Sequence, residues 1–200
     1  MARWKPNARE RLEQAALALF SERGYARTTV GDIASRAGLT ERTFFRYFTD
    51  KREVLFSGSP VLEKLIADGV ADAPPGTAPL EAVTAALGAT APMFEARRSF
   101  AKKRRLLIAA HAELGERELI KLASLAAAVA KSLEGRGVAG PAASLVAETG
   151  IAIFKSAFER WVADDEQRDL AHHVRASTRD LERITARRRS PWTKSRRSYA

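Results

Sequence analysis

The residues best suited to chemistry lie between Thr29 and Lys51, where the chain reads TVGDIASRAGLTERTFFRYFTDK. Phe44 and Phe48 are four apart, so on a helix they share one face and point into a core. Arg42, Phe45 and Arg46 fall largely on the other side. A surface of two arginines, threonines and an exposed aromatic is poor for burial in protein. It suits a major groove, where arginine reads guanine and an apolar group meets the thymine methyl. Thr29, Thr40, Thr43, Tyr47 and Lys51 are short or cationic donors suited to phosphate oxygens.

Two short helices must hold these side chains. Thr29 with Asp32 three residues on resembles a capping box, with Asp in place of Glu or Gln. Val30, Ile33, Ala34 and Ala37 then form a short stripe ended by Gly38, and Thr40 can cap a helix from Glu41 to Phe48. The tight turn Gly38–Leu39–Thr40 sets the two at a steep angle, as in a helix-turn-helix. Upstream, Leu12, Ala15, Ala16, Leu19 and Phe20 draw one helical stripe, with Gly24 as its left-handed stop. Asp50 and Glu53 predict a fourth helix opening at Lys51 and running to about Val70. Further helices are predicted over Pro79–Glu95 (kinked at Pro92), Ser99–Ala112, Gly115–Leu133, Pro141–Asp164 and Glu166–Arg187. No run alternates long enough for a sheet, so the expected fold is all-α. The basic character fades near Phe56. This predicts an N-terminal module over 1–56, a helical module over 57–189 and a disordered basic tail over 190–200.

Composition narrows the chemistry. The chain has 200 residues, of which 46% are hydrophobic and 29% charged, as expected for one or two globular domains. It has no cysteine, which excludes disulfides, thiolate zinc sites and a cysteine nucleophile. The longest apolar run, Leu125–Ala130, is far short of the ~20 residues of a membrane span. The N-terminus is charged where a signal peptide would be apolar, so no membrane and a cytoplasmic location are expected. The net charge is +10, with residues 1–56 holding 11 Lys/Arg against 7 Asp/Glu and residues 181–200 holding 7 against 1. The middle is neutral. Basic ends attract a polyanion, although they also serve plain solubility. His172 and His173 are adjacent and cannot grip a metal as an i, i+4 pair; Asp169 and His173 have that spacing but no third ligand. Phosphate-loop, dinucleotide and nucleophile-elbow motifs are lacking, so no catalytic residue, cofactor or metal is expected.

Three pieces together resemble the DNA-binding domain of the TetR family of bacterial regulators: the ALALFSERGYARTTVGDIASRAG run, RTFFRYF, and DKREVL. The likeness covers Ala8–Phe56. The resemblance implies an N-terminal three-helix DNA-binding domain and a C-terminal helical ligand-binding and dimerisation domain. It implies that Thr29, Thr40, Glu41, Arg42, Thr43, Phe45, Arg46, Tyr47 and Lys51 face DNA, with Phe44 and Phe48 in the core. Gly31 departs from many relatives, which carry a longer side chain there, so specificity should rest more on Glu41–Phe45. The implied partners are a double-stranded DNA operator, a small-molecule effector and a second copy of the chain. A dimeric repressor released from a palindromic operator by an apolar or amphipathic ligand is the leading expectation. A sequence-tolerant DNA-coating protein and a helical enzyme carrying a DNA-binding domain remain alternatives.

Downstream, apolar residues of Pro141–Asp164 fill about half the helical circumference, which predicts burial on two sides. Leu170, Val174, Ser177, Leu181 and Ile184 are spaced 4, 3, 4, 3, a seam suited to helix packing, and by resemblance to dimerisation. Candidate ligand-lining residues are Phe94, Phe100, Leu107, His111, Phe154, Phe158 and Trp161, all equally suited to a core. The cationic run Lys102–Arg105 leaves room for an anionic group at a pocket mouth.

Overall fold

The computed structural model describes residues 7–186. The expected basic tail over 190–200, and the last residue of the final predicted helix, lie outside them. The elements that carry the N-terminal module are short and capped by their own sequence. Helix α1 (Ala8–Arg23) starts at Asn7, whose side chain accepts the Glu10 N–H at 2.9 Å, and stops at Gly24, where φ is +86°. Helix α2 (Val30–Arg36) carries a complete capping box between Thr29 and Asp32. Helix α3 (Glu41–Tyr47) follows after Gly38, at φ +64°, and Thr40 accepts the Thr43 N–H at 3.2 Å.

The fourth predicted helix is interrupted. Asp50 accepts the N–H groups of Arg52 and Glu53, but only a 3-10 turn, Glu53–Phe56, results. Val54, Leu55 and Phe56 are consecutive and all buried, which a one-faced helix cannot provide. Pro60 also has no N–H to return to Phe56, so α4 (Ser59–Ala71) starts afresh with Pro60 in its first turn. The same chemistry divides the predicted Pro79–Glu95 helix. Pro92 cannot bond Gly88, and the chain splits at Thr90 into α5 (Pro79–Ala89) and α6 (Ala91–Glu95). Helices α7 (Arg98–Ala110) and α8 (Ala112–Gly135) are separated only by His111, which is extended, and Gly115 lies inside α8. Helix α9 is Gly140–Ala163 and α10 is Leu170–Thr185. Helix α10 begins later than predicted because Asp164 accepts the N–H groups of Glu166 and Arg168, folding the intervening residues into a loop, and Asp169 then caps the helix.

Two cores result. The larger joins α4, α5, α8, α9 and α10 around Ile66, Leu87, Val129, Leu133 and Trp161. Helices α5 and α9 approach closely at Gly150, where a Cβ would collide with the Val83 side chain. Leu170, Val174 and Ser177 are buried against this core and Leu181 packs on it; Ile184 is 78% exposed. From Leu170 to Leu181 the heptad-like seam therefore packs on its own monomer, and of the residues expected to face a second copy Ile184 stays open. Burying the apolar side of α10 inside the chain already uses the hydrophobic gain that the spacing advertises.

The smaller core joins α1, α2, α3 and the 3-10 turn, and it also takes Ile108 of α7 and Leu114 of α8, with Phe100 and Leu107 packed against it. The division expected at residue 56 is thus crossed by packed side chains.

The α9–α10 loop is fixed by charge. His173 Nε2 lies 2.9 Å from Asp164 Oδ2, and Arg168 grips the same carboxylate at 3.0 Å. The Arg168 hydrogen bond holds Asp164 well below the usual carboxylate range, against the effect of desolvation, with help from His173. Arg98 donates to the carbonyl of Trp161 at 2.9 Å, and Trp161 Nε1 donates to Glu95 at 2.5 Å. No group of three or more residues able to hold a metal ion is present among the described residues. Asp169 and His173 are instead committed to a helix cap and to Asp164. No helix of the described residues is long and apolar enough to cross a membrane.

Candidate nucleic-acid interface and effector cavity

On α3, Phe44 is fully buried and Phe48, just beyond the helix, is 4% exposed, while Phe45 is 55% and Tyr47 39% exposed. Arg42 and Arg46 are exposed beside them. The Arg46 guanidinium lies 4.9 Å over the Tyr47 ring and donates to its hydroxyl at 3.1 Å, so the two side chains form one cationic, aromatic unit. Thr40 and Thr43 are 3.0 Å apart, hydroxyl to hydroxyl, and Thr29 donates to Asp32 at 2.7 Å. These threonines set the helix starts, and Thr29 and Thr40 stay exposed. The Asp32 carboxyl is lowered chiefly by the Thr29 hydrogen bonds.

Two residues differ from their expected surroundings. The Lys51 ammonium donates to the carbonyls of Tyr25 at 2.9 Å and Thr28 at 3.1 Å, and sits 4.3 Å over the Tyr25 ring. Its charge ties the α1–α2 connection to the residues that lead into the 3-10 turn. The space left by Gly31 is occupied by Glu41, whose Oε1 would lie 2.6 Å from a Cβ built there. The absent side chain lets the first carboxylate of α3 fold against α2.

A cavity of about 180 Å³ lies where the two cores meet. Four of the seven ligand candidates line it: Phe94, Phe100, Phe154 and Phe158. The other three do not. Trp161 is fully buried behind them, its ring 5.5 Å from that of Phe158. Leu107 packs on the N-terminal core, and the His111 ring lies 5.2 Å from Tyr25. Tyr25 is buried with no partner for its hydroxyl among the described residues, and burial, then the nearby Glu113 carboxylate, pushes its phenol up to about 12. Helical periodicity places Leu107 and His111 on the inner side of the predicted Ser99–Ala112 helix but does not say which core that side meets; the helix in fact ends at Ala110, before His111.

Leu55, Phe56 and Gly58 form one wall of the cavity, so the N-terminal module contributes directly to it. Charges bind the walls together. Arg97 of the cavity pairs at 2.5 Å with Glu13 of α1, whose side chain is only 4% exposed. Lys121 pairs at 3.0 Å with Glu53, which Arg117 also holds at 2.5 Å. Burial works against the Glu53 charge, but the hydrogen bonds of Arg117 and Lys121 outweigh it and keep the carboxyl below the usual range. Arg104 donates to the Leu55 carbonyl at 2.7 Å, pairs with Glu118 at 3.1 Å and lies 4.8 Å over Phe56. Of the run Lys102–Arg105, only Arg104 lines the cavity; Arg105 turns to Glu159. Sequence reasoning does not mark Glu13, Arg97 or Lys121, and it marks Glu53 only as a helix-start signal. The one available signal was Leu17, which lies off the main α1 stripe and marks a second buried face shared with Glu13.

Comparison with known proteins supports this architecture. The profile of bacterial regulatory proteins of the tetR family matches residues 13–57, and that of the MftR C-terminal domain matches residues 77–186. The chain is 36% identical over 81 residues to the HTH-type transcriptional regulator TcmR of Streptomyces glaucescens. That match covers 40% of this chain and 36% of TcmR, little more than a third of the relative's length. The SmeT–triclosan complex shares the fold, with a TM-score of 0.62 and 19% identity over 90% of this chain and 91% of that one. Thermus thermophilus FadR in complex with lauroyl-CoA does so with a TM-score of 0.57 and 23% identity, covering 94% and 100%. With one profile over the capped α2–α3 unit and its surroundings, and the other over more than half of the chain, the protein belongs to the TetR family of bacterial regulatory proteins.

Proposed function

We propose that the protein is a homodimeric transcriptional regulator that reads a two-fold symmetric operator through α3 and leaves it when a small effector fills the cavity at the junction of the cores. The observation that carries the reading is Phe45. A phenyl ring 55% exposed next to the fully buried Phe44, between two exposed arginines, costs solvent exposure unless a partner covers it. Arg42, in the first turn of α3, is assigned to a base edge, with Glu41 and Phe45 beside it. Arg46, Tyr47, Thr29, Thr40 and Thr43 are assigned to phosphates and positioning.

One short helix reads too few bases alone, which is the physical case for a dimer. Since the core takes the seam only as far as Leu181, the dimer contact is assigned to the surface of α9 and α10 left outside that core, where Leu145 is 70% exposed and Ile184, at the free end of the seam, 78%. SmeT and FadR were solved with triclosan and lauroyl-CoA. In this chain the apolar cavity is smaller than the ~300–1,000 Å³ of drug-sized sites, which favours a small, largely apolar effector. Effector release follows if the ligand binds the DNA-free form more tightly, since a ligand shifts an equilibrium only by its differential affinity.

The test is fluorescence anisotropy on a tiled promoter region, followed by sedimentation of the complex on the best duplex. A preferred palindrome bound by two or four chains is expected. A tight complex of one chain per duplex, or equal affinity for every tile at fixed salt, would overturn the reading.

A further inference from the structure

The charges on the cavity wall are unevenly owned. Among the described residues, three cations, Arg97, Arg104 and Lys121, line it against one carboxylate, Glu118. Glu118 serves Arg104. The counter-ions of the other two, Glu13 and Glu53, lie outside the lining and belong to the N-terminal module. A molecule in the cavity therefore meets both the rings of Phe94, Phe154 and Phe158 and two cations whose counter-ions lie outside the lining.

We propose that the effector is an amphipathic anion, with a compact apolar body and a single acidic head, and that the head acts by taking Arg97 from Glu13 or Lys121 from Glu53. This rests on the reading of the cavity as the effector site. The exchange is an acid-for-acid swap, so the cation keeps one charge-assisted partner throughout. The cost falls on the displaced side. Among the described residues, Glu13 keeps Arg9, at 3.6 Å, and Glu53 keeps Arg117. Either swap cuts an ionic tie between the C-terminal helices and the module that carries α3. Helix α1 packs directly on α2, and the 3-10 turn packs on α1, so a tie lost at Glu13 or Glu53 is felt one helix away from the recognition helix. A neutral ligand of the same shape fills the cavity without breaking a tie.

The experiment compares acids with alcohols of matching skeleton: octanoate with octanol, and phenylbutyrate with phenylbutanol. Binding is measured by calorimetry and operator release by anisotropy. In the native protein the acid of at least one pair should bind about tenfold more tightly than its alcohol, the scale of one charge-assisted hydrogen bond, and should release operator where the alcohol does not. Glu13→Gln removes the competitor, so acid affinity should rise severalfold while alcohol affinity holds. Lys121→Gln should lower acid affinity only. A general loss of packing would move acid and alcohol together. Ala101→Trp, which fills the cavity, should abolish binding of both probes. If alcohols bind as tightly as acids and Ala101→Trp still blocks them, the anion proposal fails and the cavity reading stands. If no probe binds, or Ala101→Trp leaves binding intact, the cavity reading fails and the proposal with it.

Discussion

The α2–α3 unit and the junction cavity use the same kinds of contact over different distances along the chain. In the former, Thr29 meets Asp32 and Thr40 meets Thr43, each three residues on. In the latter, Arg104 reaches Leu55 across 49 residues, Arg117 reaches Glu53 across 64, Lys121 reaches Glu53 across 68, and Arg97 reaches Glu13 across 84. The surface assigned to DNA is built by neighbours and presents its free groups outward. The cavity is built by strangers and its charges are already spoken for. The first, the proposed reader, is made locally; the second is a joint whose integrity depends on both halves of the chain.

That contrast can be broken by mutation. Trp161 belongs wholly to the distant kind of packing, and Trp161→Ala should cost ~3–5 kcal/mol of stability in urea unfolding, as large aromatic truncations do. A loss confined to ligand response at unchanged stability would show that Trp161 is not the core residue its burial indicates. Arg42→Ala should do the reverse, costing ~1–3 kcal/mol of operator binding and relaxing one base position. Its stability should move by less than ~0.5 kcal/mol, because the residue is on the surface. Arg46→Ala should instead weaken all duplexes alike and flatten the salt dependence by about one. Identical profiles over single-base operator variants for the two arginines would undo the distinction between base and phosphate contacts.

The local device has its own, smaller test. Thr40→Ala removes one side-chain cap and should cost ~1 kcal/mol in thermal or urea unfolding, with no effect on octanoate binding. A change in cavity affinity would mean that the reader and the joint are more tightly coupled than their contacts show. The last test reads a slope rather than a size. Asp164 is held below its ordinary value of 3.8 in the folded protein, first by Arg168. The stability it lends is therefore complete above that value and is lost as the pH falls through its lower folded value. The gap between the native protein and Asp164→Asn should be constant near neutrality and close in acid. A gap that widens in acid would mean that the carboxyl is not held ionised.

Much of the reader was legible in sequence because its signals are short-range. Caps at i and i+3, a glycine stop, and the split of Phe44 from Phe45 follow from helix geometry alone. The start of α4 was misplaced although the signal was present: Pro60 forbids a helix continuing from Phe56, while Asp50 and Glu53 pull the prediction earlier. The α10 seam shows a different limit. Its periodicity gives an apolar side but cannot say whether that side meets the same chain or another. His111 and Leu107 failed for the same reason, being inward but facing the other core. The ties to Glu13 leave almost no trace in the sequence, since a glutamate on an amphipathic helix reads as solvated until a distant arginine is folded onto it.

The presence of Ile108 and Leu114 in the smaller core bears on how this module can be moved between proteins. A cassette cut at the composition change after Phe56 would carry α1 to α3 but leave one side of their core without its lid. Such a graft inherits whatever residues the recipient offers there, and a mismatch of even a methylene is felt in close packing. A transplant that also brings the α7–α8 corner, residues 98–114, supplies its own lid. Synthesis faces the same constraint in time, because the first core to leave the ribosome cannot be completed until that corner follows it.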